Sequence, residues 1–122
     1  MIPRISELAF SGADGVAIVV VRPHGELDLA SIASLDSAVR SALAAAGPVP
    51  RLVADLSRVS LLQPVVLGVL LDARRRCSKA GGAFALVVNE PQVSAVLADA
   101  EVESLFDIVE EMPEAIAHLS SR

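Results

Sequence analysis

The chain has 122 residues, enough for one hydrophobic core and too few for two, so residues 1–122 read as a single domain. Hydrophobic residues make up 53% of it and aromatics only 2%, so that core must be built from Ala, Val, Leu and Ile, which suits helices packed on a sheet. A net charge of −5 argues against a nucleic-acid partner, because such binding rests on a basic face that displaces counterions.

In chain order, Ile5 to Phe10 alternates weakly and reads as an edge strand, turning through Ser11-Gly12-Ala13-Asp14-Gly15 into the β-branched run Val16 to Val21. From Leu29 onward, Ile32, Leu35, Val39, Ala42 and Leu43 recur at helical steps, with Asp36 and Arg40 paired on the polar side. Asp28 or Ser31 can cap the start of this helix, and Gly47-Pro48 ends it. Arg51 to Leu56 has the length and apolar density of a buried strand. A second helix is predicted from Pro64 to Ala80, stopped by Gly81-Gly82, and a strand follows over Phe84 to Val88. Further helices are predicted to begin at Pro91 and near Pro113, since proline is tolerated in a first helical turn. Alternating strands and helices of these lengths predict an α/β fold: a mixed, mostly parallel sheet of roughly four to five strands covered by about four helices.

No apolar run approaches the roughly 18 residues that a membrane span requires; the longest, Leu61 to Leu71, is interrupted by Gln63, Pro64 and Gly68. No membrane insertion is therefore expected. The first ten residues carry Arg4 and Glu7 and lack a continuous apolar segment, which leads to the expectation of a cytoplasmic protein without a signal peptide.

Chemistry is sparse. The imidazoles, His24 and His118, have no Cys, His or Glu at ligand spacing, so no metal site is expected, and no glycine-rich loop opens a helix to cradle a phosphate. Cys77 is the single cysteine, which rules out an internal disulfide and suits core filling. Arg74, Arg75, Arg76 and Lys79 form a basic cluster in which Asp72 can pair at i+3 or i+4, so the cluster reads as a solvated helix face, a docking patch for an acidic partner being the alternative. Neither catalytic residues nor a cofactor are predicted, and the chain is not expected to be an enzyme.

Two segments carry a family resemblance. Gly25-Glu26-Leu27-Asp28, following a Val-rich strand, is similar to the GELD segment of STAS domains, which include bacterial anti-sigma-factor antagonists. The stretch Leu52-Val53-Ala54-Asp55-Leu56-Ser57-Arg58-Val59-Ser60-Leu61-Leu62, followed by Leu67-Gly68-Val69-Leu70-Leu71, resembles that family's central strand, loop and following helix. Ala80-Gly81-Gly82 and Leu105-Phe106 fit as well, so the resemblance spans nearly the whole chain.

The resemblance implies a single STAS-like domain that binds an anti-sigma factor of the serine-kinase type or a related regulatory protein. A typical member is phosphorylated in a loop reading Asp-Ser-Ser/Thr-Gly-Leu-Gly. With Leu67-Gly68 fixing the register, Gln63 stands for the aspartate, Pro64 for the acceptor serine, Val65 for the next hydroxyl and Val66 for the glycine. The expected partner contacts are Glu26, Leu27, Asp28, Leu62, Gln63, Pro64, Val65 and Val66, and no phosphorylation is expected because proline has no hydroxyl. Ser57 and Ser60 precede the loop apex and fit poorly as substitutes. Leu62, Pro64, Val65 and Val66 would form an exposed apolar ridge; alternatively Val66 turns inward and Val65 alone shows. A subunit role in a larger signalling or transporter assembly is the competing expectation, and a homodimer is compatible with either.

Overall fold

The computed structural model describes residues 5–11 and 17–120. Strand β1 (Ile5–Ser11) runs antiparallel to β2 (Ala17–Pro23), so the expected edge pairing is present, while the turn residues 12–15 and Val16 lie outside the described residues. The sheet continues in parallel through β4 (Arg51–Asp55), β6 (Ala83–Val87) and β7 (Asp107–Val109), in the order β1-β2-β4-β6-β7. Two short strands, β3 (Gly25–Leu27) and β5 (Val59–Leu62), form a separate parallel pair. The expected α/β class and mixed, mostly parallel sheet are what the chain adopts; the additional strands β3 and β7 span only 3 residues each.

Helices α1 (Ile32–Ala46), α2 (Leu67–Lys79), α3 (Pro91–Asp99) and α4 (Met112–Ser120) match the predicted set. The strand order advances across the sheet in one direction, and crossovers of one hand then place α1, α2 and α3 on the same face. On that side Val19, Val21, Leu52, Ala54, Phe84 and Leu86 pack with Leu35, Val39, Leu70, Val93 and Leu97. The residues between them on the strands, including Ile18, Val20, Val53, Ala85 and Val87, form a second cluster with Ala115 and Leu119 of α4. The two-residue strand period thus feeds both cores, and β6 is buried along its whole length.

Gly82 stands at the entry to β6, where a Cβ would collide with the Pro50 carbonyl, the acceptor of the Ala83 N–H at 2.9 Å. Cys77 is buried in the larger core, and burial pushes its thiol up to about 11. Among the described residues no helix is long and apolar enough to cross a membrane, and no cluster of His, Cys, Asp or Glu could hold a metal ion.

Candidate partner-binding surface

The main chain leaves β2 at Pro23 and turns at Gly25, whose φ of 85° is a left-handed value that glycine adopts freely. The Gly25 N–H donates to Arg58 O at 3.0 Å, and the Gln63 N–H to Leu27 O at 2.9 Å. These bonds bracket the β3–β5 pair and bring residues 26–28 beside the start of the 63–66 loop, so the two segments singled out in the sequence are neighbours in space.

Each segment then enters a 3-10 turn, Leu29–Ser31 after β3 and Pro64–Val66 after β5, and the two turns touch. Asp28 caps the first. Its N–H donates to Ser31 Oγ at 3.1 Å, and the buried Ser31 hydroxyl lies within bonding distance of Glu26 O and Asp28 Oδ1. Regular helix α1 starts only at Ile32, and the residue before it, Ser31, makes no side-chain cap bond to that helix. In the second turn Gln63 is extended (φ −88°, ψ 141°) and its carbonyl accepts the Val66 N–H at 3.0 Å. Pro64 fills the first position, where the missing N–H is no loss. It is exposed and presents a ring with no exchangeable group.

Not all of the expected contacts can reach a partner. Leu27, Leu62 and Val66 are buried in the core and offer no side chain to a partner: Leu27 and Leu62 are register partners across the β3–β5 pair and both face inward, and Val66 turns inward at the end of the second 3-10 turn. Glu26, Gln63, Pro64 and Val65 are exposed and Asp28 is half-buried. The apolar ridge therefore shrinks to Pro64 and Val65, the latter 48% exposed. Leu29 moves the other way. Periodicity placed it on the buried stripe of the first helix, but it is 70% exposed, because it falls in the 3-10 turn that precedes α1 and is out of phase with the helix's buried face. The resulting surface is apolar at Leu29, Pro64 and Val65 with carboxylates at Glu26 and Asp28. Neither residues 24–36 nor residues 59–71 contain a Lys or Arg to offset that charge.

Two supports of this surface are not legible in the sequence. The Leu62 N–H donates to Gln92 Oε1 at 2.8 Å, and Gln92 Nε2 donates to Leu62 O at 3.1 Å. An amide from the first turn of α3 thus stands in for a neighbouring strand on the outer edge of β5. At the end of β4, Asp55 Oδ2 accepts from Arg22 Nε at 2.7 Å and Oδ1 accepts from the Ser57 N–H at 3.0 Å. Burial opposes the charge of Asp55, yet the bonds from Ser57 and Arg22 outweigh it and hold the carboxyl below its ordinary range. This pins the turn between β4 and β5. No sequence spacing announces contacts that bridge 30 and 33 residues.

The geometry defines a compact α/β domain that presents paired 3-10 turns at one end of its sheet. The STAS domain model matches residues 9–115, and the chain belongs to that family. Among solved structures, an anti-sigma-factor antagonist from Mycobacterium paratuberculosis superposes with a TM-score of 0.77 at 23% identity, covering 95% of this chain and 94% of its own. A protein from Thermotoga maritima aligns with the same score and identity over 93% of both chains. The Bacillus cell-fate determinant SpoIIAA in its phosphorylated form aligns with a TM-score of 0.65 at 17% identity, over 94% of this chain and 98% of its own. No curated protein matches with significance.

Proposed function

We propose that this domain is a regulatory, protein-binding member of the anti-sigma-factor-antagonist type, and that it engages its partner without phosphorylation of the loop at residues 63–66. The observation that carries the reading is Pro64: it occupies the exposed first position of the turn at which the motif resemblance would put an acceptor alcohol, on a backbone of the family's fold. A phosphate there would add about −1.5 to −2 charge at a helical start, and the pyrrolidine ring has nothing to esterify. The contact surface in this reading is Glu26, Asp28, Leu29, Gln63, Pro64 and Val65. Its composition suits a partner with an apolar knob flanked by basic side chains, an anti-sigma factor of the serine-kinase type or a related regulator.

The test is direct. The protein is incubated with the kinase-type anti-sigma factors of its own cell and ATP, then analysed by intact-mass spectrometry and pull-down. No phosphate and retained binding are expected, and Pro64→Ser is expected to gain phosphate. Stoichiometric phosphorylation of the unaltered loop removes the proposal. The exposed Leu29 and Val65 also favour permanent burial as a subunit of a larger assembly. Size-exclusion of native extract separates the two: a stable high-mass complex supports the subunit reading, and an exchangeable pair with an anti-sigma factor supports the first.

A further inference from the structure

The basic cluster on α2 does not behave as one solvated face. Asp72 accepts from Arg75 at 2.7 Å and from Arg76 at 2.8 Å, which uses both of its carboxylate oxygens. Arg74 has no ion pair among the described residues, yet it is half-buried, turned away from its two neighbours toward the start of β6 and β7. There it lines a cleft of about 190 Å³ together with Ser78, one helical turn along α2, and Ser104 from the segment before β7. Phe84 and Phe106, whose ring centres lie 6.1 Å apart, belong to the same wall. Asp107 also borders the cleft. Its register partner Ala85 belongs to the α4 side of the sheet, and there the Asp107 carboxylate lies 3.1 Å from His118 Nε2.

From this arrangement we infer that the cleft between α2 and the β7 segment is a binding site for a small oxyanion, a carboxylate or a phosphate, held by Arg74 with Ser78 and Ser104. A guanidinium is a planar fork of donors that matches two oxygens of such a group, and each hydroxyl can add a donor to a remaining lone pair. The volume equals that of about six waters, enough for an anion of a few heavy atoms and too small for a nucleotide. The site lies at the amino ends of the parallel strands, whereas the candidate partner surface lies toward their carboxyl ends. Along α2, Arg74 lies about 10 Å and Ser78 about 16 Å from Leu67 at 1.5 Å per residue, so a small anion in the cleft leaves the partner surface free.

The experiment is an amide NMR titration of the full chain with sodium acetate and, separately, sodium phosphate, ionic strength being held constant with chloride. Saturable shifts confined to Arg74, Ser78, Gly82 and Ser104 are expected with at least one of the two anions. Arg74→Gln and Ser104→Ala each weaken binding about tenfold or more, equivalent to ~1.4 kcal/mol, while Arg75→Gln leaves it unchanged. Saturation with acetate alone assigns the site to carboxylates, with phosphate alone to phosphates, and with both to small oxyanions generally. Shifts that grow linearly and spread over the surface, or equal weakening by Arg75→Gln, overturn the site and show only general attraction to a basic helix.

Discussion

Replacing Gln92 by alanine tests how the candidate surface is held. The substitution removes both bonds to Leu62, at 2.8 and 3.1 Å, and leaves the N–H and carbonyl on the outer edge of β5 without a protein partner. An unsatisfied buried group costs ~1–3 kcal/mol, and since this edge is only partly buried, water recovers some of it; a total loss of about 2–3 kcal/mol is expected. With a urea slope of ~1–3 kcal/mol/M, the unfolding midpoint should fall by about 0.7–3 M, and the Leu62 amide should lose its protection in hydrogen exchange. Gln92→Glu is the sharper control. A carboxylate still accepts the Leu62 N–H but sets a second oxygen against the Leu62 carbonyl, while the protonated acid restores the donor. Its folded-state pKa is therefore raised above the unfolded value of ~4.3, so stability matches wild type below that pH and is lost as pH rises through the folded pKa. A Gln92→Ala variant within about 0.5 kcal/mol of wild type, with Leu62 exchange unchanged, would refute the assignment of Gln92 as the clamp of β5.

Other expectations follow from single features. Asp55 carries a lowered pKa, so its stabilising contribution is present above the unfolded value of ~3.9 and disappears as pH falls through the folded one. Asp55→Asn should flatten the acid limb of a stability-against-pH curve and cost about 2–3 kcal/mol at neutral pH, less than a fully buried pair because Arg22 is 21% exposed. Cys77, with its thiol near 11 and no exposure, should resist a disulfide reagent at pH 8 in the native state and react at once in denaturant; fast native labelling would contradict its burial. Gly82→Ala forces a Cβ into the Pro50 carbonyl and should cost more than about 3 kcal/mol or prevent folding, measured by chemical denaturation. Leu29→Ala and Val65→Asp should leave the unfolding midpoint nearly unchanged while weakening partner capture, each contact being worth about 1 kcal/mol on half-burial.

Periodicity and punctuation alone determined the four helices, the longer strands of the main sheet, the class of fold and the character of the core, while the short strands β3, β5 and β7 had no such signal. The runs 51–56 and 84–88 are dense in apolar residues because central parallel strands are covered on both faces, and Pro91 and Gly81-Gly82 mark boundaries through backbone constraints that act locally. That position 64 carries a proline, with no hydroxyl to modify, was equally legible, because it is a property of one side chain. Tertiary structure decided which of the neighbouring apolar residues face outward. Leu27, Leu62 and Val66 are core while Leu29 is exposed, since Leu27 and Leu62 meet across the β3–β5 pair and the 3-10 turns that follow turn Val66 inward and Leu29 outward. It likewise decided that Gln92 reaches Leu62 and that Arg74, unlike Arg75 and Arg76, turns into a cleft. Local propensity fixes what a segment becomes, whereas the side each residue shows depends on what packs against it, and that neighbour comes from a distant part of the chain.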